Sequence, residues 1–379
     1  MTIDLADTPG EAAFRAEARE WLRAHVPTGL PSGDTRAGFA RHVEWEKELF
    51  AARWAAVSWP SAYGGRDASL WEWLAFEEEY YAAGAPQRVT QNGIFLLAPT
   101  LFEFGNPEQL RLLPRMAAAG DLWCQGWSEP GAGSDLASIS SRAERVDGGW
   151  RLNGQKTWTT RGAFCTHMFG LFRTAPGRHK GLTYLLVPLE TPGITVRGFG
   201  RLDGDEGFAE VFLDDVFLAD DAVTGGVVLG GVGEGWRVAM ATTGSERGLT
   251  LRSPGRFRAA SDRLAGLARG ASASPRLREH VVRAWTGARA YELFTAREVD
   301  AMLAGRASGA RSSLAKLHWS ELDVALHETA LEILGPDAER DDAWTRGFMF
   351  SLSGPIYAGT NEIQRNIVAE RLLGLPRSP

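Results

Sequence analysis

The sequence predicts an α+β fold: an all-helical N-terminal domain, a middle antiparallel β-barrel or sandwich domain, and a C-terminal helical bundle. Apolar residues recur at helical spacing through the first third of the 379-residue chain. They then alternate, or form short runs bounded by Gly, Pro and Asp, as strands do. Helical spacing returns after Glu234. We therefore expect three domains, at residues 1–120, 121–225 and 226–379.

The N-terminal third predicts five helices. Phe14 to His25 places its apolar side chains on one helical face, and Pro27 ends that segment because proline cannot continue a helix. The many aromatic residues of this third are expected to fill a core rather than to bind a ligand. The predicted segments are Phe14 to His25, Phe39 to Trp54, Leu70 to Tyr81, Ile94 to Phe104 and Pro107 to Ala119.

The middle third predicts strands joined by tight turns. Asp147-Gly148-Gly149 has the composition of a hairpin turn, and the glycines at 225–233 predict a flexible junction to the next domain. The predicted strand segments are Ile139 to Val146, Trp150 to Leu152, Phe164 to Arg173, Leu182 to Leu189, Ile194 to Gly198 and Phe208 to Leu213.

The last third predicts a helical bundle, and its final helix carries the clearest end signals. Asn361 and Gln364 are expected to form a capping box at its start, and Gly374 followed by Pro376 to end it. The predicted helices are Gly235 to Leu267, Pro275 to Leu303, Arg311 to Leu334, Asp342 to Leu352 and Asn361 to Leu373.

The composition argues against several classes of partner and site. A formal net charge of -6, without a long Lys or Arg block, gives no reason to expect nucleic acid or an anionic membrane. No apolar run reaches membrane-spanning length, and the first ten residues lack the apolar stretch of a signal peptide. Two cysteines, Cys124 and Cys165, fit a reducing, cytoplasmic location. The histidines show no metal-ligand spacing, so no metal site is expected.

The residues from Gly126 to Asp135 read Gly-Trp-Ser-Glu-Pro-Gly-Ala-Gly-Ser-Asp and are expected to form a loop between two strands. Small residues let a backbone adopt positive φ and approach a ligand, and Ser128 and Ser134 add hydroxyl donors. A phosphate cradle is the functional interpretation, and an ordinary Pro-Gly turn is the alternative. The composition of the loop does not separate the two.

Three ordered motifs resemble those of the acyl-CoA dehydrogenase family. The loop from Gly126 to Asp135 is similar to the family's flavin-binding signature at nearly every position. Gln155 to Thr160 resembles the segment that places a Trp against the flavin, and Ile356 to Arg365 resembles the C-terminal motif. Their order and separation extend the resemblance over nearly the whole chain. It implies an FAD-dependent enzyme that removes hydrogens from the α and β carbons of an acyl thioester, carried by CoA or by a carrier protein.

The resemblance also implies the residues of a cofactor and substrate site. Trp158 would stack on the isoalloxazine, with Thr160 bonding near flavin N5; the alternative for Trp158 is a core aromatic of the sheet domain. The implied FAD contacts are Trp127, Ser128, Gly133, Ser134, Trp158, Thr160, Thr360 and Glu362. The implied substrate contacts are Arg247, Tyr357 and Gly359.

The catalytic base of many family members is a Glu between the Tyr and the Gly of the C-terminal motif, where this chain has Ala358. A second branch carries its Glu on the helix after the sheet domain, and Glu246, immediately before Arg247, matches that position. A buried carboxylate there, desolvated by a bound acyl chain, would become a useful base. The alternative for Glu246 is a structural ion pair with Arg247 or another cation. The backbone N–H of Ala358 would still donate to the thioester oxygen.

Two other family motifs are altered. The helix around Ala288 to Asp300 lacks the Arg-x-x-Phe-Gly segment that reaches a neighbouring subunit's FAD, and Glu332 to Pro336 replaces Gln-x-x-Gly-Gly. These two altered motifs make the chain similar to the actinobacterial-type branch of the family, which acts on sterol side chains and other bulky or biosynthetic thioesters. Electrons would pass to an electron-transfer flavoprotein, and the chain would form a homodimer, a homotetramer or a heteromer. The alternatives are a non-catalytic or half-site subunit of a heteromer, and a flavin monooxygenase or oxidase on the same fold.

Overall fold

The computed structural model describes residues 6–247, 253–271, 273–306 and 309–377, with the side chains of 245–247 outside that description. The chain forms two compact units. The helical unit comprises Met1–Pro27, Ala68–Pro86 and Arg247–Pro379, and the sheet unit comprises Thr28–Asp67 and Gln87–Glu246. The domain boundaries near residues 120 and 225 stay a prediction.

The helices that precede the sheet are α1 (Pro9–His25), α2 (Arg36–Ala51), α3 (Leu70–Ala82), α4 (Ala98–Phe104) and α5 (Leu112–Ala117). Reciprocal capping boxes begin α1 and α3: the hydroxyls of Thr8 and Ser69 accept from the backbone of Glu11 and Glu72, whose carboxylates accept in return.

The predicted helix from Ile94 to Phe104 is two helices of different type. Asn92–Leu97 is a π-helix, and α4 continues from its end. Pro99 lies in the first turn of α4, where its missing N–H cannot bond to the preceding turn. A wider π turn accommodates that missing donor, and the sequence pattern did not reveal it.

Seven strands form the sheet: β1 (Trp123–Gly126), β2 (Arg142–Val146), β3 (Gly149–Thr160), β4 (His167–Arg173), β5 (Leu182–Pro188), β6 (Ile194–Phe199) and β7 (Phe208–Ala219). Their order is β1-β4-β2-β3-β7-β6, with β5 paired to β4. The β2–β3 hairpin forms at Asp147-Gly148, as predicted. Most pairs are antiparallel, but β4 is parallel to both β1 and β2, because the β2–β3 hairpin returns the chain in the same direction. The prediction of a purely antiparallel sheet is therefore wrong at β4.

The helices that follow the sheet are α6 (Gly235–Arg247), α7 (Pro254–Gly270), α8 (Pro275–Leu303), α9 (Arg311–Leu334), α10 (Ala343–Ser351) and α11 (Asn361–Arg371). The predicted bounds of α8 and α9 are confirmed. The single helix predicted from Gly235 to Leu267 is wrong, since α7 begins anew at Pro254 with the Ser253 hydroxyl accepting from Gly255 N.

The start of α11 also differs from the prediction. The N-cap is Thr360, whose hydroxyl accepts from the backbone N–H of Ile363 at 3.3 Å, so the predicted capping box of Asn361 and Gln364 is wrong. Gly374, with φ 67, follows the helix end as expected.

Helices precede and follow a mainly antiparallel sheet along the chain, which confirms the predicted fold class. Within the described ranges, no helix has both the length and the apolar character needed to cross a membrane.

Candidate cofactor and substrate site

The loop from Gly126 to Asp135 is fixed near its centre by a buried carboxylate. Glu129 accepts hydrogen bonds from the backbone N–H groups of Ser140 and Ser141 at 2.6 and 2.9 Å, and from the Ser140 hydroxyl at 2.9 Å. Its other partner is Lys156 Nζ on β3, at 2.8 Å. An ion pair therefore clamps the loop to β3.

The Glu129–Lys156 pair is buried, with Lys156 0% and Glu129 7% exposed. Burial lowers the pKa of Lys156 to about 8, because the attraction of Glu129 offsets only part of the desolvation. Burial alone would raise the pKa of Glu129. The charge of Lys156 and the hydrogen bonds from Lys156 and the two serines outweigh burial and lower that pKa to about 2. Both groups are therefore charged at neutral pH.

The three glycines of the loop do not adopt the positive φ that we expected. The turn is closed instead by reciprocal backbone hydrogen bonds between Glu129 and Ala132, at 2.9 and 3.0 Å. A Cβ on Gly126 would lie 2.1 Å from a methionine sulfur on β4, so packing requires that glycine. A Cβ on Gly131 or Gly133 would meet no atom within 4 Å. These two exposed glycines leave the backbone accessible to a ligand.

Trp158 projects from a bulge near the end of β3. The register between β3 and β7 shifts between Lys156 and Thr159, which marks the bulge. Trp158 has φ 57 and is 60% exposed. Its ring meets those of Phe199 and Phe208 edge-on, at 5.2 and 5.6 Å. The interpretation of Trp158 as a core aromatic is wrong, and its exposed face can stack on a flat ring.

The loop and the bulge are neighbours in the sheet unit. The backbone N–H of Thr157 donates to the carbonyl oxygen of Ser128 at 2.9 Å. Ser128 and Thr160 are half-buried, whereas Ser134 is exposed. The first two of the three motifs therefore meet, although they lie on separate strands.

Trp127 contributes an unpaired buried donor. Its side chain is 6% exposed and meets the rings of Phe169 and Tyr184 edge-on, at 6.4 and 6.2 Å. Among the described residues, its Nε1 has no hydrogen-bond partner. Leaving a buried donor unpaired costs about 1–3 kcal/mol, so a ligand acceptor there would be favourable, although the Nε1 atoms of Trp123 and Trp150 also lack a partner among the described residues. A flavin dinucleotide is rich in acceptors and fits this donor, the exposed indole of Trp158 and the accessible loop backbone.

The third motif forms the turn before α11 in the helical unit. Ala358 and Gly359 have φ 57 and 79. The side-chain amide of the fully buried Gln364 donates to their carbonyl oxygens at 3.1 and 3.2 Å. The backbone N–H of Asn361 bonds to Pro355 O at 2.8 Å. The turn is thus held on its carbonyl side, and the methyl group of Ala358 offers no site for a proton.

Buried side chains support this turn from α9. The ring of Tyr357 stacks on that of Trp319 with centroids 5.8 Å apart. Lys316 is 0% exposed and donates to Asn361 Oδ1 at 2.7 Å. The exposed Glu362 has a pKa below its ordinary value because its own backbone N–H and the Thr360 hydroxyl donate to it. Thr360 and Glu362 therefore lie together at the start of α11.

Glu246 and Arg247 end α6, and their side chains lie outside the described residues. The preceding turns are well defined, with Val238, Ala239 and Thr242 all 0% exposed. The hydroxyl of Thr242 shares a hydrogen bond of 2.8 Å with that of Thr100 on α4. The helix leading to Glu246 is therefore anchored inside the sheet unit.

Sequence reasoning did not identify the ion pair that holds the loop. Trp150 and Leu152 alternate along β3 on its buried side, and continuing that alternation places Lys156 on the same side. A lysine at a core position needs a buried acid, and the neighbouring loop motif contains two acids, Glu129 and Asp135. That signal was present in the sequence.

Comparison with protein families gives three matches, all to one family. The chain matches "Acyl-CoA dehydrogenase, N-terminal domain" over residues 8–120, "middle domain" over 124–216 and "C-terminal domain" over 233–373.

Individual proteins and structures agree with these matches. Acyl-CoA dehydrogenase IpdE1 of Mycolicibacterium smegmatis is 40% identical over 392 residues, covering 96% of this chain and 97% of that protein. The structure titled "Tcur3481-Tcur3483 steroid ACAD" has a TM-score of 0.86 and 25% identity, covering 99% of this chain and 100% of the other. The ChsE4-ChsE5 complex from Mycobacterium tuberculosis has a TM-score of 0.82 and 27% identity at the same coverage. The chain therefore belongs to the acyl-CoA dehydrogenase family and is an FAD-dependent oxidoreductase that acts on acyl-CoA.

Proposed function

We propose that this enzyme converts an acyl-CoA to the 2-enoyl thioester, with Glu246 taking the α proton and an electron-transfer flavoprotein receiving the electrons. The observation that carries the proposal is the exposed indole of Trp158, held on a bulge beside the anchored loop from Gly126 to Asp135. An exposed tryptophan in a left-handed backbone is costly, and such strain collects at functional sites. The proposed role of the exposed Trp158 ring is to stack on the cofactor.

FAD, when bound, supplies the acceptor for the hydride that leaves the β carbon. The proposed contacts in the sheet unit are Trp127, Ser128, Gly133, Ser134, Trp158 and Thr160. Those proposed in the helical unit are Thr360 and Glu362. Of these groups, the Trp127 Nε1 donor and the Trp158 ring are supported by their own geometry.

The base must come from outside the C-terminal turn, because the side chain of Ala358 cannot take a proton. Glu246 follows the buried Thr242 and Thr243 by four and three residues on α6, a spacing that shares one helical face. An acyl chain covering that face excludes water, which favours proton transfer to a carboxylate. Arg247 is proposed to contact the substrate beside it.

The turn at Ala358 is proposed to bind the thioester oxygen. Loss of the α proton puts negative charge on that oxygen, and backbone N–H donors stabilise it. Gln364 engages the carbonyl oxygens of Ala358 and Gly359, so the carbonyl side of the turn is already occupied. Tyr357, packed on Trp319, and Gly359 are proposed to line the same part of the substrate site.

We further propose a bulky, ring-bearing acyl group. The support is the similarity to a structure titled as a steroid acyl-CoA dehydrogenase, together with the altered motifs around Glu332 to Pro336. The thioester is proposed to be a CoA ester rather than one on a carrier protein.

A half-site subunit of a heteromer is the second candidate. Ala358 favours it, and the titles of two similar structures each name two chains. In that case this chain needs a partner homologue to complete its flavin site, and FAD binding by the isolated chain is weak.

An anaerobic titration with a panel of acyl-CoAs, followed by flavin absorbance, tests the proposal. The wild type is expected to bleach with its best substrate, and Glu246→Gln to retain FAD while its reduction slows by about 10²–10⁴-fold. The matched control is Glu234→Gln, an exposed carboxylate at the other end of α6 that pairs with Arg237 at 2.7 Å. Undiminished bleaching by Glu246→Gln would exclude Glu246 as the base. A wild type that does not bind FAD on its own favours the half-site subunit, and one that binds FAD but bleaches with no acyl-CoA contradicts the proposal.

A further inference from the structure

The last residues of β3 have an unusual backbone. Trp158 and Arg161 have φ 57 and 56, on either side of Thr159 and Thr160. A left-handed conformation costs a non-glycine residue roughly 1–2 kcal/mol. It persists where the surrounding structure imposes it. The bulge imposes the left-handed conformation on Trp158. Arg161 is the first residue after β3 and needs a constraint of its own.

Buried hydrogen bonds provide that constraint. Arg161 is 7% exposed, and its Nε donates to Asp34 Oδ1 at 2.6 Å. Its Nη1 donates to the carbonyl oxygen of Arg88 at 3.1 Å. Its backbone N–H donates to Gly207 O at 2.9 Å. Both the side chain and the backbone of Arg161 are therefore tied in place.

Asp34 is the centre of this arrangement. It is 8% exposed, and its second carboxylate oxygen accepts from Arg201, which also pairs with Asp203 at 2.7 Å. Burial raises the pKa of Asp34, but the guanidinium groups of Arg161 and Arg201 outweigh burial and keep it below its ordinary value. Asp205 also lies 3.9 Å from Arg201, so three acids share two arginines and each charge in the cluster has an oppositely charged partner, which burial requires.

The Asp34 segment makes a second contact with the chain just after β3. The ring of Phe39 on α2 lies 5.2 Å from that of Phe164, and Arg36 lies over the same ring at 5.7 Å. Asp34 and Arg161 are 127 residues apart in sequence. A segment distant in sequence therefore supports the end of β3 through one ionic and one aromatic contact.

We infer that Asp34 is a positioning residue for the FAD site: by binding Arg161 it holds Thr160 and Trp158 in the conformation that faces the cofactor. This inference rests on the proposed function, in which Thr160 and Trp158 contact FAD. Asp34 touches neither cofactor nor substrate and acts through Arg161.

FAD titration of the apoprotein, with redox titration of the bound flavin, tests the inference. Asp34→Asn is expected to weaken FAD binding on the order of tenfold, because Thr160 and Trp158 would move away from the cofactor. The same displacement is expected to shift the flavin midpoint potential, because these contacts also tune the electronic properties of the flavin. The rate of flavin reduction falls, while the KM for acyl-CoA stays within about twofold. A purely structural role for Asp34 would lower thermal stability and leave the potential of the bound flavin unchanged.

Asp215→Asn is the matched control, because Asp215 on β7 pairs with Arg151 on β3 at 2.9 Å and has a positive φ of 49. It is expected to change neither FAD binding nor the potential. Should Asp34→Asn fail to fold, Arg161→Gly replaces it, since glycine adopts this φ without strain and removes the ion pair with Asp34 together with the hydrogen bond to Arg88 O. If the folded variant binds FAD with wild-type affinity and potential, Asp34 is not a positioning residue. If the wild type binds no FAD, it is the proposed function that fails.

Discussion

The sheet unit and the helical unit hold their candidate motifs by different interactions. In the sheet unit, buried ion pairs fix the backbone: Glu129 with Lys156, and Asp34 with Arg161. In the helical unit, neutral amide groups hold the turn at Ala358, through the side chain of Gln364. Two ion pairs hold the motifs of the sheet unit, whereas a neutral amide holds the turn at Ala358 and Lys316 donates to Asn361 beside it.

This difference suggests which parts of the site can vary. A buried ion pair loses several kcal/mol when one partner is removed, so neither member changes alone. The support of the turn does not depend on the side chain at 358, because Gln364 donates only to the backbone carbonyl oxygens of Ala358 and Gly359. We therefore expect the loop and the bulge of the sheet unit to be rigid. We expect the residue that serves as catalytic base to be able to differ in position among related chains.

The largest expected effect comes from Lys156→Met. It leaves the carboxylate of Glu129 buried without its cation, and we expect a loss of about 3–5 kcal/mol in the free energy of unfolding. Urea unfolding at pH 7 measures it. Lys47→Met is the control, because Lys47 is half exposed and its pair with Glu44 at 2.9 Å is worth less than about 1 kcal/mol. Equal losses in the two variants would mean that the buried pair is not an anchor.

Acid is expected to weaken the sheet unit next most strongly. The folded pKa of Glu129 is about 2, against 4.5 for an ordinary glutamate. Because the folded pKa is depressed, this stability is fully present above pH 4.5 and is lost as pH falls toward 2. Between pH 4.5 and 3 the loss is about 2 kcal/mol. Urea midpoints over that range test this, and Glu129→Gln should lack that part of the pH dependence. A wild type and a Glu129→Gln variant with parallel pH profiles would contradict it.

Gln364→Leu is expected to cost about 1–3 kcal/mol, because two backbone carbonyl groups lose a donor. The matched control is Gln109→Leu in the sheet unit, where a 1% exposed glutamine donates to Gly226 O and Val228 O at 3.0 and 2.9 Å. Both variants should lose similar stability, but the KM for acyl-CoA should rise only for Gln364→Leu. If the two variants have the same KM, the turn at Ala358 is not part of the substrate site.

The smallest expected effect is that of Ala358→Gly. Glycine relieves the strain of φ 57 but adds freedom to the unfolded chain, so the free energy of unfolding should change by less than about 1 kcal/mol. Ala369→Gly, in the interior of α11, should cost about 1 kcal/mol because no strain is relieved there. Thermal unfolding compares the two. A larger loss for Ala358→Gly would mean that its methyl group packs against the turn.

Local patterns predicted the secondary structure better than they predicted the site. The bounds of α8 and α9 follow from periodicity and flanking Pro and Gly residues, and both were predicted to the residue. The break at Pro254 was missed because apolar spacing continued through it. The exposure of Trp158 depends on a bulge whose register is set by β7, and that pairing is not a local property.

Long-range ion pairs were the hardest part to predict. Asp34 lies in an irregular segment before α2, and nothing near it in sequence indicates Arg161. The Glu129–Lys156 pair was closer to prediction, since both residues lie within recognised motifs. Motifs therefore indicated the candidate site, while the contacts that hold its residues could be seen only in the fold.

The central claim is that the α-proton base lies on α6 and not in the turn at Ala358. The most direct measurement is exchange of the α hydrogen with deuterium from solvent, using the FAD-bound enzyme and an acyl-CoA that has no β hydrogen. The substrate then cannot be dehydrogenated, and exchange reports proton removal alone. The account predicts exchange in the wild type and a loss of at least about 10²-fold in Glu246→Gln, with FAD affinity unchanged. Exchange at the wild-type rate in Glu246→Gln would contradict it.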